Sequence, residues 1–88
     1  MTDSEPSRSD VLIAVIEDID MLLKDANRDL EQLNAIARVL RAYKHAGKMT
    51  DLHYTVDQER LQRTISKCKH VLLTLHEQRK RAVDLLKE

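Results

Sequence analysis

Both halves of the chain carry apolar or small residues at spacings that alternate between four and three positions. This 3.5-residue period is typical of helices that wind around one another in a left-handed supercoil. We therefore predict an all-α fold: an antiparallel helical hairpin of two long heptad-patterned helices, part of a coiled coil or multi-helix bundle. The repeating positions are Leu12, Ile16, Ile19, Leu23, Ala26, Leu30, Leu33, Ala37 and Leu40 in the first half, and Tyr54, Gln58, Leu61, Ile65, Cys68, Leu72, Leu75, Arg79, Ala82 and Leu86 in the second.

Turn-forming residues divide the chain. Gly47 is well placed to end the first helix in a left-handed conformation, which predicts helix 1 at about 9–46. The sequence Thr55-Val-Asp-Gln58 has the form of a capping box, which predicts a loop at about 47–55 and helix 2 at about 56–88. A start capped by Thr50 or Asp51 is the alternative, and it shortens the connection to about four residues.

The first residues lack the apolar period and hold the only proline. Residues 1–8 are therefore predicted to be a flexible polar tail. Ser7, Ser9 and Asp10 are the candidate N-caps of helix 1.

Helix 1 has a wider apolar stripe than two strands need. With Ile16 and Leu23 at heptad position a, four of the five g positions from Val15 to Tyr43 are apolar, Asp29 being the exception. Such a stripe contacts more than one neighbouring helix. The predicted partner interface is Leu12, Val15, Ile16, Ile19, Leu22, Leu23, Leu30, Leu33, Ile36, Leu40 and Tyr43, and the predicted hairpin core is Leu61, Ile65, Cys68, Leu72, Leu75 and Leu86.

The charge pattern favours an antiparallel hairpin. Residues 10–31 contain seven acids and two bases, whereas residues 38–48 contain bases and no acid. Helix 2 likewise begins with acids, Asp51, Asp57 and Glu59, and has the bases 79–81 near its end, so antiparallel folding at the loop brings opposite charges together. Arg79 interrupts the apolar pattern and must extend to water or find a carboxylate, which makes it a possible specificity residue.

Composition excludes several classes. One Gly, one Pro, no Phe and no Trp in 88 residues argue against a β-sandwich or a thick globular core. Zero net charge and the lack of interleaved aromatics argue against nucleic-acid binding. An apolar run of six residues, 11–16, is too short for a signal peptide or a membrane span. A lone cysteine argues against a secreted disulfide-rich domain, so we expect an intracellular protein, cytoplasmic or nuclear.

Catalytic and metal-binding chemistry is not indicated. The histidines at positions 45, 53, 70 and 76 have no i, i+4 pair that would present two imidazoles to one ion. Cys68 falls at a core d position, where a thiol acts as a small hydrophobe. We predict no cofactor, no metal and no small-molecule substrate.

The sequence therefore predicts a non-catalytic structural or scaffold subunit that assembles with other helical subunits, as homo- or hetero-oligomer. Cytoskeletal or kinetochore attachment complexes and vesicle- or organelle-tethering complexes contain subunits of this general architecture, which is an analogy only. A homodimeric four-helix-bundle adaptor is the alternative. A small helical enzyme of chorismate-mutase-like size is the second alternative, although charged residues other than Arg79 fall off the core stripe.

Overall fold

The chain folds into two long helices that pack against each other in opposite directions. The computed structural model describes residues 7–88. Helix α1 spans Arg8–His45 and helix α2 spans Asp51–Lys87. The molecule measures 72 × 20 × 15 Å. These features confirm the predicted all-α antiparallel hairpin.

Helix α1 begins after a serine cap. The Ser7 side-chain oxygen accepts a hydrogen bond from the Asp10 backbone N–H at 3.1 Å, which satisfies one of the free donors of the first turn. Ser9 and Asp10, the other candidate caps, lie within the helix. Of the predicted tail, residues 1–6 lie outside the described part of the chain.

A Schellman motif ends α1. Gly47 has a φ of 70°, a left-handed conformation that favours glycine. Its N–H donates to the Lys44 carbonyl at 3.1 Å, and the Lys48 N–H donates to the Tyr43 carbonyl at 2.9 Å. These are the two hydrogen bonds of the motif, and they satisfy carbonyls that the helix end leaves free. The predicted role of Gly47 is correct.

Helix α2 takes the earlier of the two predicted starts, so the predicted loop at 47–55 is too long. The Thr50 hydroxyl oxygen accepts a hydrogen bond from the His53 N–H at 3.2 Å and caps the helix. The Thr55 hydroxyl instead donates to the Asp51 carbonyl at 2.9 Å, inside the helix. The early start also places Tyr54 on α2, half-buried at the loop end of the seam between the helices.

Lys44 connects the two helices beside the loop. Its ammonium lies 3.8 Å from the Asp51 carboxylate and 4.7 Å from the centre of the Tyr54 ring. The carboxylate and the ring face both attract a cation, and Asp51 also complements the positive end of the α2 dipole. These contacts connect the last turn of α1 to the first turn of α2, and the exposure of Asp51 limits what they add to stability.

The core is a single layer of side chains along the seam. Its buried members all occupy the a and d positions that the heptad pattern predicts, and the most buried, Ile65, is 4% exposed. A hairpin of two helices encloses only this layer, so the remaining faces of both helices are open to their surroundings. The buried residues are Ile19, Leu23 and Ala26 of α1 and Leu61, Ile65, Leu72 and Ala82 of α2.

Candidate interaction surface

The antiparallel arrangement gives the hairpin two different long sides. In an antiparallel helix pair, the g positions of both helices lie on one side of the seam and the e positions lie on the other. A groove on the first side is lined by Asp29 and Ile36 of α1 and by Thr64 and Val71 of α2, all g positions. We call the surface formed by the g positions and the adjacent c positions of both helices the apolar face.

Exposed apolar side chains are concentrated on this face. Within residues 7–88, thirteen large apolar residues are exposed, and eight of them occupy g or c positions. Leu22, Ile36 and Tyr43 are each about half exposed, at 53%, 49% and 52%. Single exposed apolar residues are common on proteins, but their concentration on one side, although interrupted by polar residues such as Asp29, is characteristic of a binding surface. The eight residues are Val11, Val15, Leu22, Ile36, Val39 and Tyr43 of α1 and Val71 and Leu85 of α2.

The structure divides the predicted partner interface into two sets. Ile19 and Leu23 are buried in the seam and pack within the hairpin, so they are not available to a partner. The other a and d residues of that set are half-buried along the same seam: Leu12, Ile16, Leu30, Leu33 and Leu40. The remaining members, all at g positions, form part of the apolar face: Val15, Leu22, Ile36 and Tyr43.

Sequence reasoning missed the contribution of α2 to this face. Val71 and Leu85 occupy g positions of α2 and are exposed. The feature that identifies the wide stripe of helix 1, apolar residues at g positions, is also present in helix 2 and could have revealed them. Val11 and Val39 were missed because they occupy c positions, beyond the a, d and g stripe.

The predicted hairpin core lies on the seam side of α2. Leu61, Ile65 and Leu72 are buried, whereas Cys68, Leu75 and Leu86 are half-buried. All six therefore face α1, and the degree of burial varies along the seam.

Cys68 lies against the backbone of α1 at Ala26. Its thiol donates a hydrogen bond to the Ala26 carbonyl at 3.4 Å, across the seam. The small side chain of Ala26 permits this approach. Together with Leu33, these residues form the floor of the groove on the apolar face, which is why the thiol is only partly covered.

The two edges of the apolar face carry opposite charges. Between residues 11 and 43, the g and c positions of α1 hold three acids and no base. The g and c positions of α2 hold three bases and one acid, Asp57. Arg8, a g residue in the first turn of α1, lies at the end of the hairpin and pairs with Glu88. The acids of the α1 edge are Asp18, Asp25 and Asp29, and the bases of the α2 edge are Arg60, Lys67 and Arg81.

These six edge charges are available to a partner. Among the described residues, none of the six takes part in an ion pair within the hairpin. The three bases lie at c positions of α2, and two of the three acids lie at c positions of α1, on the outer margin of the apolar face. A partner on the face would therefore meet both charged margins.

The opposite side is polar and is joined by an ion pair. Two grooves on that side are lined in part by Asp20, Asn27 and His76 and by Arg41 and Gln62. All five occupy e positions. Apart from Ile13, an e residue near the start of α1 that is 44% exposed, the exposed e positions therefore present polar groups to water, whereas the apolar face presents more side chains that favour another hydrophobic surface.

Arg79 finds a carboxylate on the polar side. Its Nε lies 2.6 Å from Asp20 Oδ1 and its Nη2 lies 3.4 Å from Asp20 Oδ2. The hydrogen bond to Asp20, reinforced by the carboxylate charge, raises the pKa of Arg79 above its ordinary value. The Arg79 stem meanwhile occupies an a position of the seam, and its guanidinium reaches the Asp20 carboxylate.

The histidines do not converge on a metal site. Within the described range, no group of three or more His, Cys, Asp or Glu side chains is arranged to hold a metal ion. Residues 7–88 also contain no helical segment with the length and hydrophobicity of a membrane span.

Comparison with known proteins assigns no function to the chain. No protein-family model, curated protein or solved structure matches the chain.

Proposed function

We propose that this chain is a non-catalytic structural subunit that binds other helices through its apolar face and so builds a larger coiled-coil or helix-bundle assembly. The observation that carries the proposal is the position of eight of the thirteen exposed large apolar residues, among residues 7–88, along one side of the hairpin. The polar side has the composition of a surface that faces water. In a hairpin with this asymmetry, a partner covers the apolar face and the polar side stays in contact with water.

Burial of the apolar face supplies the driving force. Fully burying a Leu or Ile side chain contributes about 1.5–3 kcal/mol. Leu22 and Ile36 retain about half of their surface in the isolated hairpin, so a partner recovers part of that free energy at each position. Repeated along the face, such gains offset the entropy lost on association.

The chemistry of the groove favours binding over catalysis. Its floor consists of Ala26, Leu33 and Cys68, and its polar groups stand at the rim. A catalytic pocket brings several polar groups together in a concave site that excludes water. An open apolar trough with a charged rim instead has the anatomy of a protein interface.

The test is a pair of double variants with matched chemistry. We expect Leu22→Glu with Ile36→Glu to abolish assembly and to retain most of the helical circular dichroism, because both side chains lie outside the buried seam. The control is Met21→Glu with Leu73→Glu, which adds the same charge at exposed positions, 68% and 57%, outside the apolar face. The control should assemble normally.

Site-specific cross-linking addresses the same question in extracts of the source cells. A photoreactive residue at Ile36 should form a cross-link to a helical partner, and one at Leu73 should not. If the Leu22 and Ile36 variant assembles as well as the control, or if the two cross-linking positions behave alike, the apolar face is not the binding surface.

A further inference from the structure

We propose that the occupant of the apolar face is a second copy of this chain. The two hairpins form a four-helix bundle in which α1 of each copy packs on α2 of the other, with both loops at the same end. This inference rests on the proposed function, since it names the partner for the surface described above. A two-fold axis parallel to the helices generates the arrangement, and it leaves every neighbouring pair of helices antiparallel.

Charge on the edges of the face selects a second copy and its orientation. The α1 edge is acidic and the α2 edge is basic. Packing α1 on α2 of the other copy therefore brings an acidic edge against a basic edge on both sides of the interface. Packing α1 on α1 would bring acid against acid and base against base, an arrangement that like charges disfavour.

The register of the hairpin places these charges at matching heights. Within one chain, Arg8 contacts Glu88 and Lys44 contacts Asp51, so residues whose numbers add to about 96 lie at the same level. A two-fold axis along the bundle transfers these levels to the other copy. Asp18 of one copy then lies within about one helical turn, roughly 5 Å along the axis, of Arg81 of the other copy. Asp25 lies at a similar axial distance from Lys67 of the other copy.

The apolar residues match in the same register. Leu22 of one copy lies within about one turn of Val71 of the other, and Val15 lies within about one turn of Leu85. These contacts form layers of a second core between the hairpins. All four residues are exposed in the single hairpin, and all four become covered in the bundle.

The face is large enough for a stable dimer. The hairpin is 72 Å long and 20 Å wide, and little more than half of such a footprint reaches the ~800 Å² per partner that specific interfaces bury. Continuous contact along two helices also gives the regular packing typical of four-helix bundles. No additional chain is required to cover the apolar face.

Complementary charge reversal tests both the partner and the orientation. The acid-reversed variant is Asp18→Lys with Asp25→Lys, and the base-reversed variant is Lys67→Glu with Arg81→Glu. At low ionic strength, sedimentation should give the wild type twice its 10.2 kDa mass and each variant alone a weakened dimer, because like charges then face each other. An equimolar mixture should restore the dimer, since both edges become complementary again.

The matched controls carry the same charge changes away from the apolar face. Glu17→Lys with Glu31→Lys and Lys24→Glu with Lys80→Glu alter b positions, which lie beyond the e positions of the polar side. These variants should dimerise as the wild type does, separately and mixed. A dimer that is insensitive to the face variants, or a mixture that does not recover, would overturn the proposed arrangement.

The distance between the loops separates the two possible orientations. A spin label at Lys48→Cys, in a Cys68→Ser background, should report an intermolecular distance well below the 72 Å length of the hairpin. Loops at opposite ends would give a distance close to that length, which would contradict our arrangement.

The outcomes distinguish this inference from the proposed function. A wild-type chain that remains monomeric at high micromolar concentration overturns self-association. If a photoreactive residue at Ile36 then cross-links to a different helical protein, the proposed function stands and the partner is another protein. If the chain is monomeric and Ile36 cross-links nothing in native extract, both proposals fall.

Discussion

Arg79 of α2 and Asp20 of α1 connect the two helices on the polar side through two hydrogen bonds between one guanidinium and one carboxylate. The shorter, from Nε to Oδ1, is 2.6 Å. Both side chains are about half exposed, so water also solvates the pair. The pair joins the turn of α2 that holds Arg79 to the turn of α1 that holds Asp20, and its contribution to stability is limited by its exposure.

Replacing Arg79 with Leu should therefore raise the melting temperature. Leucine is an apolar knob at an a position, and the Asp20 carboxylate that loses its partner remains accessible to water. Thermal circular dichroism measures the change. If Arg79 also specifies the partner, the variant should bind a generic heptad peptide more readily than the wild type does. Equal binding by both proteins would remove Arg79 from the specificity residues.

Leu72 and Leu73 are neighbours with opposite environments, and they should respond very differently to alanine. Leu72 is 9% exposed in the cluster with Ile19 and Leu23, so Leu72→Ala should lower the free energy of unfolding by about 2–3 kcal/mol. Leu73 is 57% exposed, and Leu73→Ala should change it by less than about 0.5 kcal/mol. Urea denaturation of the two variants measures the difference. Equal losses would contradict the position of the seam.

The start of α2 can be tested with two threonine variants. Thr50→Ala removes the side-chain oxygen that accepts the His53 N–H, and it should lower the free energy of unfolding by about 1 kcal/mol. Thr55→Ala should have little effect, because the Thr55 hydroxyl bonds within a formed helix. Equilibrium denaturation compares them. A larger loss of stability for Thr55→Ala than for Thr50→Ala would instead support the longer loop at 47–55.

Substitutions at Gly47 test the conformation of the turn between the two helices. A methyl group at this position would meet nothing within 4 Å, so the effect of Gly47→Ala should come from the left-handed backbone alone, about 1 kcal/mol. Gly47→Asn should destabilise less, because asparagine tolerates this conformation better. Denaturation midpoints of the two variants provide the comparison. An alanine variant as stable as the wild type would mean that the turn relaxes to another conformation.

The sequence by itself determined the helices, their antiparallel pairing and the α2 side of the seam. Heptad spacing depends only on the geometry of a helix, so the spacing alone places Leu61, Ile65 and Leu72 in the core. Gly47 is equally predictable, because few other residues adopt its conformation. The first cap was narrowed to three candidates, of which Ser7 is the one used.

Only the tertiary structure decided which apolar residues remain exposed and where the charges pair. A heptad pattern does not say whether a stripe faces its own chain or another, so Ile19 and Leu22 look alike in the sequence although one is buried and the other exposed. The sequence left the caps at Thr50 and Thr55 as alternatives, and in the structure the Thr50 oxygen accepts the His53 N–H whereas Thr55 lies inside the helix. The Asp20 partner of Arg79 depends on register, a long-range property that local spacing does not encode.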